Sequence, residues 1–251
     1  MTKQLIRSYE GKELALDYLK YRPSYPHRIS ETIMKYVRSN LPNNSNDKLE
    51  NMLDIGCGSG QATTLFASYF KSVVGTDISS QQIEVANENN NHQNIEYLVV
   101  SDGKFPVEDE SVDFVNCATA AHWLNIPEFE SECQRVLKPN GSVAIYAYLQ
   151  KHIMDADSGE NLSLGDKYRG AVMEFFITIK AHPNNFILVQ KYQPIFEQMV
   201  NPTKKWIEDI TFNKYSTFET FLGFWATIGE YQALMRDGKP KVDPLEELRK
   251  S

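Results

Sequence analysis

Three glycines at alternate positions, Gly56, Gly58 and Gly60, follow directly on the apolar run "NMLDI" and precede a helical segment that begins at Gln61. Glycine weakens any regular element because it loses more backbone freedom on folding than other residues, so such a cluster marks a turn that needs left-handed backbone or a bare surface. A strand that ends in this kind of turn and passes into a helix opens a βαβ unit. The residues that follow keep to that plan: helix Gln61–Phe70, strand "SVVGTDI", helix Ser80–Asn89, strand "IEYLVV", strand "VDFVNCA", helix Pro127–Leu137 and strand "SVAIYAY". Strands separated by helices predict an α/β fold with a doubly wound, mostly parallel sheet, whose binding crevice lies beyond the carboxyl ends of the strands.

Outside this stretch the pattern changes. Residues 8–20 and 27–41 read as helices, joined by the proline-stiffened elbow "YRPSYP". After Leu149 the alternation stops, and residues 155–200 read as an aromatic-rich helical insertion. The segment "KKWIEDITF" has the alternation of one further strand, residues 217–235 read as a helix, and the terminal "KVDPLEELRKS" has no strand pattern. One domain is expected, made of a helical arm (1–48), a cofactor-binding core (49–150), a helical lid insertion (151–205) and a C-terminal strand and helix (206–251).

Charge and composition narrow the partners. A formal charge of −7 disfavours nucleic acid, whose binding rests on clustered Lys and Arg. The arm is the local exception, because Lys3, Arg7, Lys12, Lys20, Arg22 and Arg28 outnumber Glu10, Glu13 and Asp17, giving +3 up to Arg28. No apolar run is long enough to span a membrane and the N-terminus has no signal-like core, so a cytoplasmic protein is expected. Cys57, Cys117 and Cys133 lack metal-ligand spacing and read as reduced thiols, with no metal site.

The glycine turn acquires a chemical meaning from Asp77, about 20 residues on, at the tip of the next strand, where an acidic side chain accepts hydrogen bonds from both ribose hydroxyls of an adenosine. The third glycine falls at 60 and Gln occupies 61, which departs from the G-x-G-x-x-G pattern of dinucleotide sites and disfavours NAD. A turn beside acidic Asp54 suits a ligand that carries a cationic amino acid in place of a pyrophosphate, and S-adenosylmethionine is such a ligand. At "LDIGCGSG", "VVGTDIS", "SDGKFPVEDESVDFV" and "RVLKPNGSVAIY" the chain resembles the class I S-adenosylmethionine-dependent methyltransferases. At "YLKYRPSYP" and "ATAAHWLN" it is more narrowly similar to the trans-aconitate methyltransferase-like branch of small-molecule enzymes.

The resemblance implies a Rossmann-like sheet of the seven-stranded type and S-adenosylmethionine as cofactor, while the terminal "KVDPLEELRKS" reads as a last strand missing or replaced. It implies that Gly56 and Gly58 meet the methionyl part, Asp77 the ribose, Ile78 an adenine face, Asp102 the adenine amino group and Gly103 the ring through its N–H. Tyr21, Arg22, Asp54 and Ala118 complete the cofactor set, with Asp54 orienting either the glycine loop or the methionyl ammonium. His122 is the candidate for a proton or substrate role, set against a plain packing role, and Trp123 and Trp225 are candidate walls for the acceptor, beneath a roof that could also draw on Phe175, Phe176, Trp206 and Tyr231. Arg22 is expected over the methionyl carboxylate or an acidic acceptor, or else fixing the elbow. The expected reaction is O-methylation of a small molecule on a carboxylate by a monomer or homodimer; the alternatives are a non-catalytic S-adenosylmethionine-binding protein and a NAD-dependent dehydrogenase.

Overall fold

The computed structural model describes residues 11–41, 47–101, 103–150, 152–154, 157–159, 161, 166–207, 210–238 and 240–250. Strands β1 (Leu49–Ile55), β2 (Phe70–Asp77), β3 (Ile95–Val99), β4 (Val112–Ala118) and β5 (Leu137–Tyr146) form one sheet in the order β3-β2-β1-β4-β5. Every pairing is parallel. The order reverses between β1 and β4, so the crevice of this α/β sheet opens where Ile55 and Ala118 end.

Each inner strand buries both faces, as parallel strands between helix layers must. Met52 and Phe114 face a core shared with Met34 and Val37 of α2 (His27–Asn40), Phe66 of α3 (Gln61–Phe66) and Ile83 of α4 (Ser80–Glu88). Their neighbours Leu53 and Val115 face the opposite core, against Phe129, Cys133 and Val136 of α5 (Ile126–Val136). Helix α1 (Lys12–Tyr21) crosses to α4, where Lys12 Nζ donates to Glu84 and Glu88 at 2.7 Å each.

Three expectations are corrected. The sheet has five strands among the described residues, not seven. "KKWIEDITF" forms no strand where it is described: no neighbouring strand offers it a ladder, Ile207 is half exposed, and Trp206 rests edge-on against Phe196 at 5.2 Å. The helix expected over 217–235 breaks at Thr227 into α9 (Phe218–Ala226) and α10 (Gly229–Ala233). The chain ends in a helix, α11 (Leu245–Lys250).

The helices after β5 are divided between two cores. Helix α6 (Asp166–Thr178) brings Phe175 to a third cluster with Leu222 and Trp225 of α9, Tyr231 of α10 and Leu248 of α11. Helices α7 (Asn185–Val189) and α8 (Gln193–Gln198) instead insert Ile195, with Tyr192 from their junction, into the core beneath α5. Residues 185–198 are therefore part of the domain's packing rather than a detached cover.

Candidate functional site

The glycine turn is drawn together by the two strands beside it. Cys57 N–H donates to Thr76 O at 2.9 Å and Gly60 N–H to Cys57 O at 3.0 Å, while Gly56, Gly58 and Gly60 take φ of 67°, 55° and 87°. Only one of the three is bare for want of a protein neighbour. A Cβ on Gly56 would overlap the Ala120 side chain, and one on Gly60 would overlap the Tyr97 hydroxyl, whereas one on Gly58 would meet nothing nearer than Gln82 Oε1 at 3.8 Å. Gly58 is the most open of the three, and its two companions also make room for Ala120 and Tyr97.

Asp77, at the tip of β2, closes the turn. Its Oδ2 accepts Gly58 N–H and its Oδ1 accepts Ser79 N–H, both at 2.9 Å. Burial pushes its carboxyl up, and the amides of Ser79, Gly58 and Ile78 draw it back. No cation pairs with it among the described residues, so its remaining acceptor capacity is available to hydroxyls. Gln82 Oε1 of α4, buried and without a hydrogen-bond partner among the described residues, lies 3.8 Å from where a Cβ on Gly58 would sit. An open Gly58, a carboxylate held on backbone amides and an unused acceptor fit the adenosine and methionyl parts of S-adenosylmethionine. Ile78 is half buried next to Asp77, and Gly103 is exposed at φ 77° with open space around its Cα; Asp102 lies outside the described residues.

Asp54 is fully buried rather than a solvated strand end. Thr63 Oγ1 donates to its Oδ2 at 2.6 Å and Asn116 Nδ2 to its Oδ1 at 2.8 Å. These two donors tie β1 to the start of α3 and to β4, bracing the glycine turn from below. Loss of solvent raises the Asp54 pKa to about 6, against the lowering by Thr63 and Asn116. The Tyr146 hydroxyl and Asn116 Oδ1 are also buried, and neither has a hydrogen-bond partner among the described residues.

Beyond β4 the chain is strained. Thr119 takes φ 53°, which is uncommon for a β-branched residue, and shares a 2.7 Å hydrogen bond with Tyr25 of the elbow. Ala118 is half buried just before it. The following 3-10 turn, Ala121–Trp123, buries His122 at 5% exposure, with Nδ1 2.7 Å from the Tyr192 hydroxyl. Burial, and then the charge of Arg22, push the His122 pKa down to about 4.

Arg22 lies at the C-cap of α1, sandwiched between the rings of Tyr18 and Phe224 at 4.9 and 4.5 Å. Its Nε donates to Thr227 Oγ1 at 2.7 Å and its Nη1 to Tyr148 at 3.4 Å, so the elbow is pinned to α9 and to the end of β5. The other elbow candidate is elsewhere: Tyr21 packs its ring on Gly223 of α9, under Lys20. Trp123 stacks toward His182 at 5.4 Å. Trp225 is corrected from a pocket wall to a core residue, since it is buried among Phe175, Phe176, Phe221 and Phe224. Thr63, Asn116, Tyr25, Thr119 and Tyr192 went unread; Asn116, a lone amide in an apolar strand, was the one carrying a visible signal.

Residues 53–145, which span the glycine turn, Asp77 and the β4 end, match a family described as "Methyltransferase domain". The chain carries an S-adenosylmethionine-dependent methyltransferase domain. It is 28% identical over 92% of its length to a methyltransferase of Dictyostelium discoideum, covering 81% of that protein. It is 29% identical over 64% of its length to the S-adenosylmethionine-dependent methyltransferase CRG1 of Saccharomyces cerevisiae, and spans 53% of that relative. A further methyltransferase, from Schizosaccharomyces pombe, is 34% identical over 51% of the chain, which spans 48% of it. The fold also matches the structure of a type II methyltransferase from Anaeromyxobacter dehalogenans, at a TM-score of 0.58 and 22% identity, over 91% of this chain and 86% of that one. The match to a methyltransferase domain stands against the NAD-dependent dehydrogenase alternative. No helix among the chain's described residues is long and apolar enough to cross a membrane.

Proposed function

We propose that the methyl acceptor is a small organic acid, methylated on a carboxylate oxygen. When bound, S-adenosylmethionine supplies a methyl group already activated by its sulfonium. In this reading Asp77 takes the ribose hydroxyls, Gly56 and Gly58 lie against the methionyl part, and Ile78, Asp102 and Gly103 receive the adenine. The protein's remaining task is to hold the acceptor oxygen in line and exclude water, and positioning of that kind is worth roughly 7–11 kcal/mol.

The observation that carries the reading is the fixed position of Arg22. The guanidinium is fixed by two rings and two hydroxyls, near enough to the imidazole to help hold it neutral. A fixed cation beside hydroxyls of Tyr148 and Thr227 suits an anionic acceptor. An imidazole with a pKa of about 4 is a weak base at neutral pH, and a carboxylate needs no proton removed. The narrower similarity to the trans-aconitate-like branch points the same way.

The test is a methyl-transfer screen of small acids, phenols and amines with labelled cofactor. Acids are expected to turn over, and Arg22→Lys, which keeps charge but loses the planar fork, to raise the acceptor KM more than the cofactor Kd. His122→Gln is expected to cost less than about tenfold in rate. Turnover restricted to phenols or amines, with a loss of about a hundredfold or more in that variant, would overturn the proposal.

A further inference from the structure

Tyr192 is held where its side chain would not otherwise go. Helix α7 ends in a Schellman arrangement: Tyr192 N–H donates to Ile187 O at 3.1 Å and Lys191 N–H to Leu188 O at 2.8 Å. In that motif one residue, usually glycine, is left-handed. Here Lys191 takes that place at φ 54°, and Tyr192 follows at φ 62°, also left-handed. A second consecutive non-glycine residue in this region is strained and persists only where its surroundings determine it. What surrounds it is the turn after β4: the Tyr192 side chain is 5% exposed and its hydroxyl is 2.7 Å from His122 Nδ1.

Those contacts fix a proton. A phenol oxygen has one hydrogen to give and lone pairs to accept with. The phenol O–H is a more acidic donor than a neutral imidazole N–H, and a bare imidazole nitrogen is a more basic acceptor than a phenol oxygen. The short bond to Nδ1 is therefore made with the phenol's own hydrogen. Burial pushes the Tyr192 phenol well up, which keeps that hydrogen in place at neutral pH. With Nδ1 accepting, a neutral imidazole carries its proton on Nε2. That nitrogen makes no hydrogen bond among the described residues, nor is it one of the sealed polar atoms.

We infer that Tyr192 is a positioning residue that holds His122 as its Nε2–H tautomer, so that His122 presents a hydrogen-bond donor to the methyl acceptor and has no base to offer it. The part concerning the acceptor rests on the small-acid reading; the tautomer does not. The charged and titratable groups around the pair are Arg22 from the elbow, Tyr18 from α1 and Cys117 from β4, and the arginine disfavours a doubly protonated ring.

The experiment is nitrogen-15 NMR of the five histidines in the full chain at neutral pH, with His122 assigned by its disappearance in His122→Gln. The expected wild-type spectrum has Nδ1 pyridine-like and Nε2 pyrrole-like. Tyr192→Phe keeps the ring and removes the hydroxyl, and is expected to move His122 to a mixture of both tautomers. A pyridine-like Nε2 in the wild type would overturn the inference, as would a Tyr192→Phe spectrum identical to wild type. No acceptor is present, so a failed substrate screen and a failed tautomer assignment are separate results.

Discussion

Asp54→Asn removes a buried charge whose cost changes with pH. The Asp54 carboxyl is raised from 3.8 to about 6 because burial denies its ionised form water, and two hydrogen bonds from Thr63 and Asn116 recover only part of that. The folded protein therefore holds the proton more tightly than the unfolded chain does. Stability from this group is fully present below the unfolded value and is lost as pH rises through the folded one. A difference of about two pKa units corresponds to about 3 kcal/mol in all, of which about 1.4 kcal/mol falls between pH 5 and pH 8.

His122 acts in the opposite sense. Its pKa falls from 6.5 to about 4, so its contribution is present above the unfolded value and lost as pH falls. The two partly cancel in wild type, and only the difference between wild type and Asp54→Asn isolates Asp54. Urea unfolding of both proteins, at steps from about pH 5 to pH 8, is expected to show the variant gaining on wild type by about 1.4 kcal/mol as pH rises. Its absolute offset depends on how well an amide refits Thr63 and Asn116. Parallel stability curves across that range would refute the account of Asp54 as a buried, desolvated carboxylate.

Asp77→Ala is expected to weaken S-adenosylmethionine binding at least tenfold by calorimetry, since hydrogen bonds to a charged group are worth about 1.5–3 kcal/mol; unchanged affinity would exclude the ribose role. Ile195→Ala is expected to cost about 2–5 kcal/mol in denaturant unfolding, because Ile195 is 2% exposed in the core beneath α5. A loss under about 0.5 kcal/mol, the range of neutral surface changes, would show that α8 is only a cover.

The sequence by itself determined the elements whose signals are local. The order of strands and helices from β1 to β5 followed from apolar runs punctuated by glycine and polar turns. The turn at Gly56–Gly60 and the acid at Asp77 were legible because a strand end and the turn after it are set by adjacent residues. Misreadings came where local pattern lacked a partner. "KKWIEDITF" alternates like a strand, but a strand exists only when another offers it a ladder, and the sheet gives it none.

Tertiary structure decided what depends on distant residues meeting. Gly56 and Gly60 also make room for Ala120 and Tyr97, and no reading of the turn alone distinguishes them from Gly58, the most open of the three. Asp54 lost its water only when α3 and β4 closed on it. His122 acquired its partner from Tyr192, 70 residues on, an aromatic residue in a helical segment with nothing in its neighbours to mark it. Arg22 was visible as a charge, but its stacking between Tyr18 and Phe224 needed α1 and α9 to be brought together. Backbone preferences act over a few residues, whereas desolvation and proton placement depend on every group within a few ångströms, whatever its distance along the chain.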